Sequence, residues 1–159
     1  MQALQSPMKY EDVLKRLGPL MTFDIKAVVF SDNFSSGLGK WKYGVDPPSP
    51  DARVELKQIS GNQFVNLYAP PPSGPLAFMY TDINVSKNTN YTLTFKINGA
   101  AWLYVNNDIF NAGSGRYDGT LAGFTTHTQT ANSGDRDQMR IMFMAYGHNF
   151  AVDDVELKN

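Results

Sequence analysis

An all-β fold, a sandwich of two antiparallel sheets, is what this sequence predicts from residue 23 onward. Two observations carry that expectation. Short stretches rich in Val, Ile, Phe, Tyr and Thr alternate with clusters of Gly, Pro, Asn, Asp and Ser. Inside the stretches, apolar and polar residues alternate with period two, the pattern of strands with one dry and one wet face. At 159 residues with 42% apolar and 13% aromatic side chains, the chain has material for one core without metal or disulfide staples.

The elements follow in order. Ser6 and Pro7 form a helix start and Gly18-Pro19 a stop. Between them Tyr10, Val13, Leu14 and Leu17 fall at helical spacing on one apolar stripe. Residues 1–22 are therefore expected to be an arm with an amphipathic helix, and residues 23–159 the sandwich domain. The stripe either packs on its own domain or docks on a neighbouring subunit.

Strands are expected at residues 23–31, 53–59, 63–69, 76–85, 91–98, 101–106, 121–130, 138–146 and 149–157. The proline-dense segments VDPPSPD and APPPSGP are stiff connections that block strand extension. Alternation assigns faces. Leu93, Phe95, Leu103, Val105, Ile141, Phe143 and Val152 are expected in the core, and Trp102, Tyr104 and Asn106 share the opposite face of their strand. Arg140, Met142, Met144 and Tyr146 point away from the core in theirs.

Several function classes lose support. A net charge of −1, with scattered Lys and Arg, gives no basic stripe for nucleic acid. No window of 18 uncharged apolar residues exists for a membrane helix, and the charges at Glu11, Asp12, Lys15 and Arg16 interrupt any signal-peptide pattern. With no Cys, thiolate chemistry is excluded. His127 and His148 stand without metal-ligand spacing, and no GxSxG elbow or phosphate-binding loop occurs. Asp118, Asp135 and Asp137 lie in turn-like stretches where Asp serves local backbone bonding, and Gly113–Gly115 reads as a turn. The chain is expected to be a binding protein, not an enzyme.

Four segments, in order, resemble the jelly-roll carbohydrate-binding modules appended to glycoside hydrolases and the wider galactose-binding-like superfamily of that fold. They are VVFSDNFSSGLGKWKYG, GNQFVNLYA, TDINVSKNTNYTLTFKING and FMAYGHNFAVDDVELKN, spanning about residues 28 to 158. The resemblance implies a jelly-roll β-sandwich. It also implies a structural calcium between Asp32 and Asp153 or Asp154, residues that would otherwise be solvated or capping carboxylates. It implies sugar binding on aromatic platforms, for which Trp102, Tyr104 and Asn106 are the candidates. The alternative is that these rings are covered by the second sheet, the N-terminal helix or another subunit.

Two functions are consistent with that resemblance. One is a non-catalytic virion structural protein, a phage capsid decoration or cement protein or a tail component, held to the major capsid or tail protein by its arm and located in the virion. The alternative to that first expectation is a carbohydrate-binding module that recognises a glycan through surface aromatics, outside a cell or on its surface.

Overall fold

In the computed structural model, residues 12, 27–71 and 74–159 are described. The expected N-terminal helix, with Tyr10, Val13, Leu14 and Leu17, lies outside the described residues. Ten strands are present among the described residues: β1 (Val28–Asp32), β2 (Lys42–Asp46), β3 (Arg53–Ile59), β4 (Asn62–Ala69), β5 (Leu76–Asn84), β6 (Asn90–Val105), β7 (Asp108–Gly113), β8 (Thr125–Asn132), β9 (Gln138–Ala145) and β10 (His148–Lys158). All pairings are antiparallel.

The strands form two layers. The first sheet runs β8, β6, β10, β4, β3, with β1 beside β4 along the same edge of β10. The second runs β2, β5, β9, β6, β7. β6 belongs to both, pairing with β10 and β8 up to Gly99 and with β9 and β7 from Ala100 on. The two separate strands expected at 91–98 and 101–106 are thus one strand that changes sheet. Gly99 makes the corner, with a left-handed φ of 98°. A Cβ on Gly113, paired with the neighbouring Ala100, would overlap the Gly99 carbonyl oxygen and stand 2.9 Å from Ile97 Cγ2.

Because the corner preserves the period of two, odd residues of β6 face inward along its whole length. Tyr91, Leu93, Phe95, Ile97, Ala101, Leu103 and Val105 are all buried. Ile141, Phe143 and Val152 join them as the sequence predicts. One end of the core is closed by aromatics from the β1–β2 connection. Trp41 packs on Phe30 at 5.6 Å and on Phe143 at 6.2 Å, and Phe143 meets Phe95 edge-on at 5.4 Å.

β2 and β7 were not among the expected strands, and they form the two edges of the second sheet. β7 returns from β6 through a two-residue turn at Asn106-Asn107, with Asn106 left-handed at φ 55°. In β10, Asp154 is an extra residue between the Asp153–Lys96 and Glu156–Thr94 pairs, a bulge with φ 49°.

Candidate functional site

The two sheets differ in what covers their outer faces. On the first, the 114–124 connection folds back over the strands. Asn98 donates to Asp118 Oδ1 and to the Thr120 carbonyl, both at 2.8 Å, and Phe124 packs on Phe64 at 5.2 Å. Phe64 and Asn98 are consequently buried although they point away from the core. The hydrogen bonds from Asn98 and Thr120 hold the Asp118 carboxyl below the usual carboxylate range. Asp118 therefore pins a loop.

The outer face of the second sheet is open and aromatic. Strand register places Gly44, Phe78, Met144, Trp102 and Asn111 in one row across five strands. Lys42, Tyr80, Met142, Tyr104 and Ile109 form the next row. At about 4.8 Å between strands, each row is roughly 19 Å long. Trp102 is 38% exposed, with Tyr146 at 6.3 Å and His148 at 6.0 Å between ring centroids. Phe78 and Tyr80 stack at 6.3 Å, and the Phe78 ring reaches over Gly44, where a Cβ would meet its Cζ at 3.5 Å. Among the described residues, neither the other sheet nor a loop lies over this face. Its apolar rings and thioethers are a surface for contact with a flat, partly apolar ligand.

Trp102 and Tyr104 therefore stand side by side, as alternation predicts. Asn106 does not join them as a free amide. Its backbone N–H donates to the Arg140 carbonyl at 2.9 Å, and its Oδ1 accepts from Arg140 N at 3.0 Å, so the side chain ties the hairpin turn to β9. Phe78 and Tyr80 were missed, although the LAFMYTDIN segment alternates in the same way, with Ala77 and Met79 buried on its other face. Tyr80 is itself covered by the Arg140 guanidinium, 4.2 Å from its centroid. Arg140 is held there by a fork to Asp82, Nε to Oδ1 at 2.8 Å and Nη2 to Oδ2 at 3.0 Å. That pair keeps the Asp82 carboxyl below its usual range.

The donors implied for calcium do not converge on one ion. Both oxygens of Asp32 already accept N–H groups, Oδ1 from Phe34 N at 2.8 Å and Oδ2 from the Trp41 indole at 2.8 Å. Asp32 lies opposite the inward Val155, whereas Asp153 lies opposite Lys96 on the outer side of the sheet. There Asp153 accepts from Asn62 Nδ2 at 2.9 Å and from Asp154 N at 2.8 Å, and burial pushes its carboxyl up. Asp154 shares a cleft of about 420 Å³ with Asp32, but it pairs with Lys96 at 3.1 Å. Lys40 lines the same cleft and donates to the Ser31 carbonyl at 2.7 Å, so a protein cation already serves that wall. Among the described residues, no group of three or more His, Asp or Glu side chains is placed to hold a metal. The residues present do not fit a calcium shared by Asp32 and Asp153.

The remaining titratable candidates are dispersed. His127 Nε2 lies 2.7 Å from Thr125 Oγ1 on β8. His148 stacks on Phe150, its Nδ1 within 3.2 Å of Tyr146 N and 3.0 Å of Tyr146 O, while Nε2 is enclosed with no hydrogen-bond partner among the described residues. Asp137 pairs with Lys87 at 3.7 Å, and Asp135 is an exposed turn residue.

No family model matches the chain, and no curated protein is similar to it in sequence. Solved structures are similar in fold. The enzymatically active domain of bacteriophage CBA120 tailspike protein 4 superposes with a TM-score of 0.58 at 11% identity, over 76% of this chain and 19% of that one. The CBM22-1-GH10 modules of Clostridium thermocellum xylanase 10B, solved with xylohexaose, give 0.55 at 11% identity over 82% and 28%. The module TmCBM61, solved with β-1,4-galactotriose, gives 0.52 at 12% identity over 79% and 92%. The chain spans less than a third of the first two structures. What these likenesses establish is the architecture: a β-sandwich of the kind found in carbohydrate-binding modules.

Proposed function

We propose that this protein is a glycan-binding domain whose ligand lies on the outer face of the second sheet. One observation carries this reading: a continuous open surface of Phe78, Met144, Trp102, Met142 and Tyr104 on paired strands, with no cover among the described residues. A pyranose presents apolar C–H faces that such rings and thioethers contact by dispersion, and hydroxyls that amides at the margin can bond. Strands, not loops, hold the rings, so little order has to be gained on binding. Modules of this fold solved with xylohexaose and galactotriose support the ligand class, without bearing on which sugar this chain takes.

The virion structural role is the weaker of the two readings. The tailspike domain shares the fold, as the sugar-binding modules do, and no feature of the described residues favours a capsid or tail partner over a glycan.

The test is retention of the protein and its Trp102→Ala variant on immobilised neutral and acidic polysaccharides, with circular dichroism and melting as folding controls. Trp102 is part-exposed, so its removal is expected to cost about 1 kcal/mol or less of stability while retention is lost. Retention of the wild type by no polysaccharide, or equal retention of the folded variant, refutes the assignment.

A further inference from the structure

The Asp82 end of the open face carries more charge than a stacking surface requires. Two clefts of about 280 and 300 Å³ flank Asp82. Lys40 and Lys42 line one, Arg136 and Arg140 line the other, and among the described residues Asp82 is the sole carboxylate in either lining. Four cations thus meet one carboxylate, in a chain whose formal charge is −1.

Two of the four are committed. Arg140 forks Asp82 and lies on Tyr80, and Lys40 donates to the Ser31 carbonyl. Lys42, whose Nζ lies 6.0 Å from the Tyr80 centroid, and Arg136 form no ion pair among the described residues. Asp137, next to Arg136 in sequence, is drawn instead to Lys87 at 3.7 Å. The Asp82 carboxylate is held charged first by the Arg140 hydrogen bonds, with Lys42 adding a smaller favourable field. One negative charge is therefore shared among neighbours that carry several positive ones. Arg140 uses two of its five N–H donors on Asp82, so donors remain at the rim of the fork.

We propose that this end of the sheet is a carboxylate subsite, and that the polysaccharide bound here is an acidic one. Sugar rings lie along the aromatic rows, and the carboxylate of a uronate residue is received between Lys42 and Arg136, on either side of the Asp82–Arg140 pair. The proposal rests on the glycan-binding reading above. It adds the chemical class of the sugar. Guanidinium and ammonium donors facing a carboxylate make charge-assisted hydrogen bonds, which are stronger than those made to a neutral hydroxyl. The excess positive charge also attracts a polyanion from a distance, an effect that salt screens.

The experiment compares binding of the intact chain to polygalacturonate, alginate and hyaluronan, each beside its methyl ester, which keeps the sugar and removes the charge. At least one acidic polymer is expected to bind roughly tenfold more tightly than its ester, with the difference shrinking as salt rises. Arg136→Gln should reduce that preference while binding of the ester is kept, Lys42→Gln should reduce it as well, and Trp102→Ala removes binding of both. Equal binding of acid and ester, with Trp102→Ala still abolishing both, overturns the carboxylate subsite and leaves the stacking face standing. Retention on dextran sulfate equal to that on every uronate marks a nonspecific charge effect and also overturns it. Binding to no polymer of either kind overturns both readings.

Discussion

Replacing Asp32 by Ala separates two roles for the carboxylate, anchor of a buried indole or ligand of a cation. Asp32 is 8% exposed and accepts two N–H groups, from Phe34 and from the Trp41 ring, and Trp41 is 6% exposed at the end of the core. A hydrogen bond to a charged group contributes about 1.5–3 kcal/mol, and an N–H left buried without an acceptor costs about 1–3 kcal/mol. Phe34 also sits in the left-handed region at φ 61°, a conformation disfavoured for a bulky residue and held here by the Asp32 bond and by Gly37 N and Gln63 Nε2 donating to its carbonyl. Asp32→Ala is therefore expected to destabilise by about 3–5 kcal/mol, which at a urea slope near 2 kcal/mol/M lowers the midpoint by about 2 M. Trp41→Phe removes the donor and part of the need for the acceptor. A double-mutant cycle in urea should give a coupling of about 1–3 kcal/mol. Unfolding of the wild type should be the same with EDTA and with added calcium. A midpoint that falls with EDTA in the wild type but not in Asp32→Ala would show that the carboxylate holds an ion, and the hydrogen-bond account would fail.

Other consequences can be measured in the same way. Phe143, fully buried against Phe95 and Trp41, should cost about 3–5 kcal/mol on truncation to Ala, read as a lower urea midpoint at unchanged slope. Asp118 titrates below its usual value when folded, so its contribution to stability is present above about pH 4 and is lost as pH falls through the folded value. Asp118→Asn should then flatten the acid limb of a melting profile, and an identical limb would refute the loop-pinning role. Deleting residues 1–22 should leave the melting of the sandwich nearly unchanged while abolishing any assembly that the Tyr10, Val13, Leu14 and Leu17 stripe supports, checked by light scattering; unfolding on deletion would place that segment in the core.

Period-two alternation made the centre of this fold legible in the sequence. In residues 91–105 and 138–145 the apolar set is continuous and the strands are central, so one face had to be buried whichever strands became neighbours. The same alternation placed Trp102 and Tyr104 together on the opposite face. β2 and β7 were not legible, because KYGVD and DIFNAG contain the Gly, Asn and Asp of turns and have edge positions that need no full apolar pattern. Nor does sequence distinguish two strands from one strand that changes sheet at Gly99, since both keep the same alternation. Which outer face stays open was decided only in three dimensions. The 114–124 loop closes over Asn98 and Phe64 through partners 20 to 60 residues apart, and leaves Trp102, Phe78 and Met144 uncovered. The use of Asp32 was decided in the same way: a carboxylate binds an ion or an indole according to which donors the fold brings within 3 Å, and here the partner is Trp41.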